Sequence, residues 1–316
     1  MTLLWGKKSK LAKAVSSMAV EDHPDAQVEA AARGADILES SHATTSDLGA
    51  LAKLPPFQPV ILSLMRLFDR EDVQTDEVAS LIESDPALTG ELLAVVNSPL
   101  YALQSRLTSP AQAIVLLGFQ NTKSLAAALG MRFMMRGAPR TPVVRRFWTH
   151  SMATATIAQC FARAFRVEPS EAHVGALLHD LGRLGLLAAY PEEYSALALT
   201  AHDSSYAILA AEQEKFGMTH CHAGALLAEA WRLPKTVRQA AGLHHGNSSD
   251  QPLVKLVQLS CRLADSFQFQ SIHRCDVQKP EETIRACATA DLREQLTGEL
   301  EAVNAAILTA LESLDF

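Results

Sequence analysis

The sequence predicts an all-α protein. Apolar residues recur at helical spacing along almost the whole chain, and strand-like alternation bounded by turns is nearly absent. Segment boundaries carry proline, glycine and short polar residues of the kind that start and stop helices.

Residues 1–49 are polar and alanine-rich, with Gly34 and a Ser40, Ser41, Thr44, Thr45, Ser46 cluster, and read as an N-terminal tail or an irregular extra helix. Pro55-Pro56 ends the segment before Phe57. Val60, Ile61, Leu64, Met65 and Phe68 then form one helical stripe, and Leu88, Leu92, Val95 and Val96 the next. Asp85-Pro86 and Ser109-Pro110 each place a cap residue before proline at the first helical position. Gly118 closes the helix that holds Val115, Leu116 and Leu117. Residues 137–142 (Gly-Ala-Pro-Arg-Thr-Pro) cannot continue a helix and put a boundary near residue 140. A helical N-terminal subdomain over 50–140 and a second helical subdomain over 141–275 follow, with a C-terminal helix region over 276–316.

In the second half, Val143 to about Phe165 reads as one helix. Ser170 caps the next, which runs through Asp180 and ends near Gly182. Tyr206–Phe216 is stopped by Gly217, and Thr219 caps His220–Trp231. Pro234 opens a helix that reaches His244-His245 and ends at Gly246, and Pro252 opens another through Asp265. Leu292, Leu296, Leu300, Val303, Ile307, Leu311 and Leu314 step by four and three, one stripe on a straight helix. That stripe either packs on its own domain, the favoured reading, or makes a homodimer through residues 291–314.

At 316 residues, 48% hydrophobic and 20% charged, the chain is an ordinary globular protein of two domains or one large one. A net charge of −7 argues against nucleic-acid binding, which needs a basic surface. Lys7, Lys8, Lys10 and Lys13 read as a solvated terminal cluster. The five cysteines form no CxxC pair, which fits a reducing cytoplasm. No apolar run is long enough for a transmembrane helix, and the start lacks the regions of a signal peptide.

Function concentrates in His150, His179, Asp180, His220, His244, His245 and Asp265, side chains of the types that hold hard or borderline divalent metals. They come from five different helices, as a bundle builds a metal site in its core. One or two ions of iron, manganese, zinc, nickel or magnesium would lower the pKa of bound water and clamp phosphoryl oxygens, so phosphate-ester hydrolysis is the natural reaction class. Arg183 is placed to hold a phosphate or to make a salt bridge. His222 faces away from His220 on their helix, and His173 reads as a surface residue. Cys221, between His220 and His222, reads as a buried or incidental cysteine in preference to a thiolate site. No GxSxG elbow, Walker A loop or GxGxxG turn occurs, and no organic cofactor is expected.

The segment V-G-A-L-L-H-D-L-G-R-L (174–184) resembles the signature of the HD superfamily of metal-dependent phosphohydrolases. A longer set resembles its HDOD branch, the HD-related output domain of bacterial signalling proteins. It comprises L-P-P-F-Q-P-V (54–60), I-E-S-D-P-A-L-T (82–89), V-N-S-P-L-Y (96–101), A-I-V-L-L-G (113–118), F-W-T-H-S (147–151), G-M-T-H-C-H-A-G (217–224), W-R-L-P (231–234) and H-H (244–245). The resemblance implies a helical N-terminal subdomain packed on an HD-like helical core, and a role in signal transduction. It carries the superfamily's metal ligands onto the same His and Asp positions, Asp265 on L-A-D-S alone. Two departures weigh against cyclic-di-GMP hydrolysis. The DGxGYP run of the HD-GYP phosphodiesterases is replaced by H-H-G-N-S-S-D-Q-P, and the lysine of their HDxGK motif is Arg183. HDOD proteins as a class have no generally established catalytic activity. The expectation is therefore a non-catalytic module that binds a signalling partner protein or a nucleotide around a retained metal-type site, with a metal-dependent phosphohydrolase as the alternative.

Overall fold

The computed structural model describes residues 49, 51, 57–136, 141–246 and 250–314. The expectation for the tail therefore lies outside the described residues except at Gly49, as does most of the 137–142 break. Among the described residues the protein is helical with no strand, apart from one isolated bridge between His202 and Arg274. No helix among them is long and apolar enough to cross a membrane.

The first group comprises α1 (Pro59–Phe68), α2 (Thr75–Glu83), α3 (Pro86–Val96), a 3-10 turn at Pro99–Tyr101, and α4 (Pro110–Arg136). Asp85 caps α3 as expected, its carboxylate accepting from the Ala87 and Leu88 N–H groups. Asn97 clamps the following loop by exchanging two hydrogen bonds with the Leu107 backbone, at 2.9 and 2.8 Å. Gly118 breaks α4 with φ of 73°, a left-handed conformation that costs glycine nothing, and the helix resumes at once. The long arm beyond it packs on α1, α2 and α3 and joins them to the second group.

The second group is built around α5 (Pro142–Phe161), buried along most of its length. α5 is shorter than the sequence suggests. Arg166 turns left-handed (φ 57°) and the Val167 N–H reaches back to the Ala162 carbonyl, a six-to-one closure that ends the helix without glycine. Next come α6 (Pro169–Leu177), α7 (Leu181–Ala189), α8 (Pro191–Leu199), α9 (Ser205–Phe216), α10 (His220–Ala230), α11 (Lys235–Leu243) and α12 (Pro252–Ser266). Glu168, in place of the expected Ser170, caps α6 by accepting from the Glu171 N–H. His179 and Asp180 are not on that helix. They occupy the turn between α6 and α7.

Gly182 is the second residue of α7. It does not stop a helix but lets α7 lie against α10: a Cβ there would fall 1.8 Å from the His220 carbonyl oxygen and 2.5 Å from the Gly224 nitrogen. The backbone contact brings the Asp180 turn and the His220 turn together.

After α13 (Pro280–Cys287), the C-terminal stripe is interrupted and falls on α14 (Ala290–Gly298) and α15 (Leu300–Ser313) in place of one straight helix. Leu296, Leu300, Val303 and Ile307 are buried, and α15 lies on α5 of the same chain. His173, expected at the surface, is buried on α6 with Nδ1 3.0 Å from Gln159 Oε1, because nearly every face of α6 is covered.

Gly182→Ala should lower stability by about 3 kcal/mol or more, since backbone atoms must move apart. Gly90→Ala, at an exposed helical site with nothing within 4 Å, should raise it by about 0.5–1 kcal/mol. Urea midpoints of the two variants check both signs. Burial also lowers the pKa of His173 to about 4. The unfolded chain, with its histidine near 6.5, then binds the extra proton first, so stability falls as pH drops from about 6.5 toward 4. Between pH 7.5 and 5 the wild type should lose about 2 kcal/mol more than His173→Gln. Equal losses would contradict that assignment.

Candidate metal centre

The site lies where α5, the α6–α7 turn, the start of α10, the end of α11 and α12 converge. On α5, Thr154 bonds back to the His150 carbonyl at 2.8 Å, and His150 itself projects into the core. Its Nδ1 faces the Phe269 carbonyl at 2.7 Å. His179 Nδ1 faces the Ala176 carbonyl at 2.6 Å, and His244 Nδ1 faces the Ala240 and Ala241 carbonyls at 3.1 and 3.0 Å. His220 Nδ1 lies 2.6 Å from Glu212 Oε2. A carbonyl or ionised carboxylate oxygen can only accept, so each Nδ1 carries a proton and, in the neutral ring, Nε2 is left with the lone pair.

Those lone pairs point at one another. His150 Nε2 and His179 Nε2 are 3.3 Å apart, and His220 Nε2 and His244 Nε2 are 3.2 Å apart. Asp180 lies between the pairs. Its Oδ2 is 3.7 Å from the Nε2 atoms of both His150 and His179, and its Oδ1 is 3.4 and 3.3 Å from those of His220 and His244. Asp180 Oδ1 is buried and accepts no hydrogen bond of good geometry. Four facing lone pairs and an orphaned carboxylate oxygen form an arrangement that a cation resolves. The donor set thus fits the divalent metal expected from the sequence.

The electrostatics agree. Burial holds His179 well below the usual histidine range. Burial opposes charge on His244 too, but the Cys221 thiolate and Asp180 outweigh it and raise its pKa to about 10. In the metal-free protein the second proton of His244 therefore sits on Nε2, and that nitrogen has its lone pair only when a cation takes the proton's place. Burial pushes Cys221 up, and His220 and His244 more than reverse that, to about 6. Burial and then Asp265 drive Cys261 well above the ordinary thiol range. Asp180 ionises despite burial because Arg183 and the histidines hold it far below the usual carboxylate range.

The remaining candidates take other positions. His245 stands edge-on to His220 and 4.3 Å, ring centre to ring centre, from His244. Asp265 sits behind His150, 3.5 Å from Nδ1, and its other oxygen pairs with Arg274 at 2.9 Å. Arg183 is buried and turned inward, its Nε on Asp180 Oδ2 (2.9 Å) and Nη1 on Glu212 Oε1 (3.1 Å). His222 lines a separate surface groove with Glu229 and Arg238.

Sequence reasoning missed Glu212, Cys261, Tyr194 and Arg274, and set Cys221 aside. Glu212 had a signal: it sits between Ile208 and Phe216 at steps of four, an acid on the apolar stripe of α9. Cys261 stands one turn before Asp265 on the same face of α12. Tyr194 donates to Glu212 at 2.7 Å and completes its set of partners. Arg274 carried no signal, because the His202 bridge that holds its backbone joins distant segments.

Beside the centre is a cavity of about 10 Å³, lined by His150, Arg183, His245, Cys261, Asp265 and Arg274 among others. It has room for about one water molecule.

Comparison with known proteins matches the HDOD domain family to residues 54–247. An uncharacterized protein of Treponema pallidum (strain Nichols) is 23% identical over 266 residues, 82% of this chain and 50% of that protein, so the chain spans half the length of the relative it matches. Among solved structures, an HDOD domain protein of unknown function from Geobacter sulfurreducens is 21% identical with a TM-score of 0.61, covering 81% of this chain and 93% of its own. A provisionally assigned signal-transduction protein from Marinobacter aquaeolei VT8 is 18% identical with a TM-score of 0.68, over 92% and 66%. A provisionally assigned phosphohydrolase from Shewanella amazonensis SB2B is 18% identical with a TM-score of 0.62, over 85% and 98%. At these identities the structures establish a shared fold.

Arg183→Leu leaves Asp180 and Glu212 as buried charges without their common partner. It should cost about 3–5 kcal/mol in the metal-free protein, and adding Glu212→Gln should recover part of that. Thermal unfolding with chelator present measures both. A neutral Arg183→Leu would show that the guanidinium is not the counter-charge.

Proposed function

The chain belongs to the HDOD family, and from that premise we propose that it is a signal-transduction module whose buried His/Asp centre holds metal for structural or sensory purposes and does not hydrolyse phosphate esters. The observation that carries this reading is the closure of the site among the described residues. A phosphohydrolase needs an open coordination position and space for a phosphoryl group. Here the donors are buried, the adjoining cavity admits about one water, and the arginine best placed to meet a phosphate is spent on Asp180 and Glu212. Output then passes through a partner protein. Val115 and Leu116, just before the Gly118 break, and Leu100, in the 3-10 turn, stand exposed, and apolar groups of this kind suit protein contact. A nucleotide that biases the module is the other ligand class consistent with the family.

The convergence of donors around a bridging carboxylate favours the second reading, a metal-dependent phosphohydrolase acting on a nucleotide or cyclic nucleotide. The two readings part in one experiment. Protein loaded in turn with iron(II), manganese, zinc, nickel and magnesium is offered bis(4-nitrophenyl) phosphate, cyclic mononucleotides, cyclic dinucleotides and nucleoside triphosphates. The module reading predicts no release above the metal-only control. Turnover on the order of 1 s⁻¹ with any pair, abolished by Asp180→Asn, would establish the enzyme instead.

A further inference from the structure

The HDOD resemblance brings histidines and aspartates to this site, but the structure adds two thiols. Cys261 Sγ lies 3.6 Å from His150 Nε2, and Cys221 Sγ lies 3.6 Å from His220 Nε2. His150, His179 and Cys261 form one group whose donor atoms lie within 4.8 Å of one another, and His220, Cys221 and His244 form another. Each group faces a different carboxylate oxygen of Asp180, and the two meet where the His179 and His244 rings lie 4.8 Å apart, centre to centre.

We propose that Cys221 and Cys261 are metal ligands, completing two four-donor sets of two histidines, one cysteine and one oxygen of a bridging Asp180. The inference rests on the reading that the centre binds metal, and it specifies which metals and how many. The spacings support it. With metal–nitrogen bonds of about 2.0–2.1 Å and metal–sulfur bonds of about 2.3 Å, tetrahedral geometry puts two nitrogens about 3.3 Å apart and a nitrogen and a sulfur about 3.5 Å apart. The observed nitrogen pairs are 3.3 and 3.2 Å apart, and the Cys221–His220 and Cys261–His150 sulfur–nitrogen pairs are 3.6 Å apart, while Cys221 Sγ lies 4.0 Å from His244 Nδ1, so the His244 ring has to turn for Cys221 to share its ion. Octahedral magnesium, with oxygen ligands, fits neither the donor types nor the four-donor count.

Charge supports it as well. Arg183 is shared by Asp180 and Glu212, and Arg274 pairs with Asp265, so these three carboxylates and two arginines together offer the ions only one net negative charge. Two divalent ions against one carboxylate would leave a large positive charge in a buried place. Each thiol that binds gives its proton to solvent and contributes one negative charge, which brings the centre close to neutral. The remaining cysteines, Cys160, Cys275 and Cys287, lie outside both groups. Soft sulfur ligands then select zinc, iron(II) or cobalt(II) over magnesium, and the filled donor sets leave no position for substrate.

Cobalt(II) titration of the metal-free full chain, followed by absorption, tests this without reference to activity. Thiolate-to-cobalt charge transfer in the near ultraviolet reports sulfur ligation, and the intensity of the visible d–d bands separates four-coordinate from six-coordinate cobalt. The expected result is about two cobalt per chain, tetrahedral visible bands, and a charge-transfer band that halves in Cys221→Ser and in Cys261→Ser while Cys160→Ser leaves it unchanged. Cobalt bound without a charge-transfer band, or with a band indifferent to both substitutions, overturns the thiolate assignment and leaves a metal site of histidine and aspartate. No cobalt bound by the wild type overturns that metal reading too. The wild-type band decides the matter even if a serine variant fails to fold.

Discussion

The second half of this fold is organised around one buried carboxylate. Asp180 is held by Arg183, which is held by Glu212, which in turn accepts from both the backbone N–H (2.8 Å) and the ring of His220. This chain ties the α6–α7 turn, α7, α9 and the start of α10 together by charge, in a region where an unpaired charge would be very costly. Gly182 makes it geometrically attainable by letting α7 touch the α10 backbone. The same network aims one Asp180 oxygen at two histidine nitrogens and keeps it ionised. What holds the helices together therefore also arranges the donors of the candidate metal centre.

The orientation of the rings follows from backbone placement. Three of the four imidazoles that face Asp180 have Nδ1 fixed by main-chain carbonyls, and the fourth by Glu212. Ring position and tautomer are thus set before any ion arrives, which lowers the reorganisation that binding requires. A preorganised, closed set of donors suits tight structural binding. An open position, which catalysis would need, would require Arg183, Arg274 or the surrounding helices to withdraw.

Much of this was legible in the sequence because it is local. Helix starts at Pro86, Pro110 and Pro252 and the stop at Gly217 follow from cap chemistry that acts within a few residues. The histidines and Asp180 could be picked out because their types and order are informative in themselves. What escaped depends on tertiary contact. Gly182 looked like a helix terminator, and only the approach of α10 shows that it is a packing glycine. The C-terminal leucine stripe has an unbroken period, yet the helix is interrupted at Glu299, and the segment after it packs on α5. Cys221 and Cys261 are ordinary small apolar residues until folding brings each beside a bare imidazole nitrogen.

The claim on which the rest depends is that the facing imidazoles and Asp180 form a cation site. Elemental analysis of protein purified without chelators tests it most directly. The account predicts about two equivalents of a transition metal per folded chain, removed by chelator with loss of thermal stability and restored by zinc. A folded chain that carries no metal, takes up no added zinc or iron(II), and melts at the same temperature with and without them would contradict it.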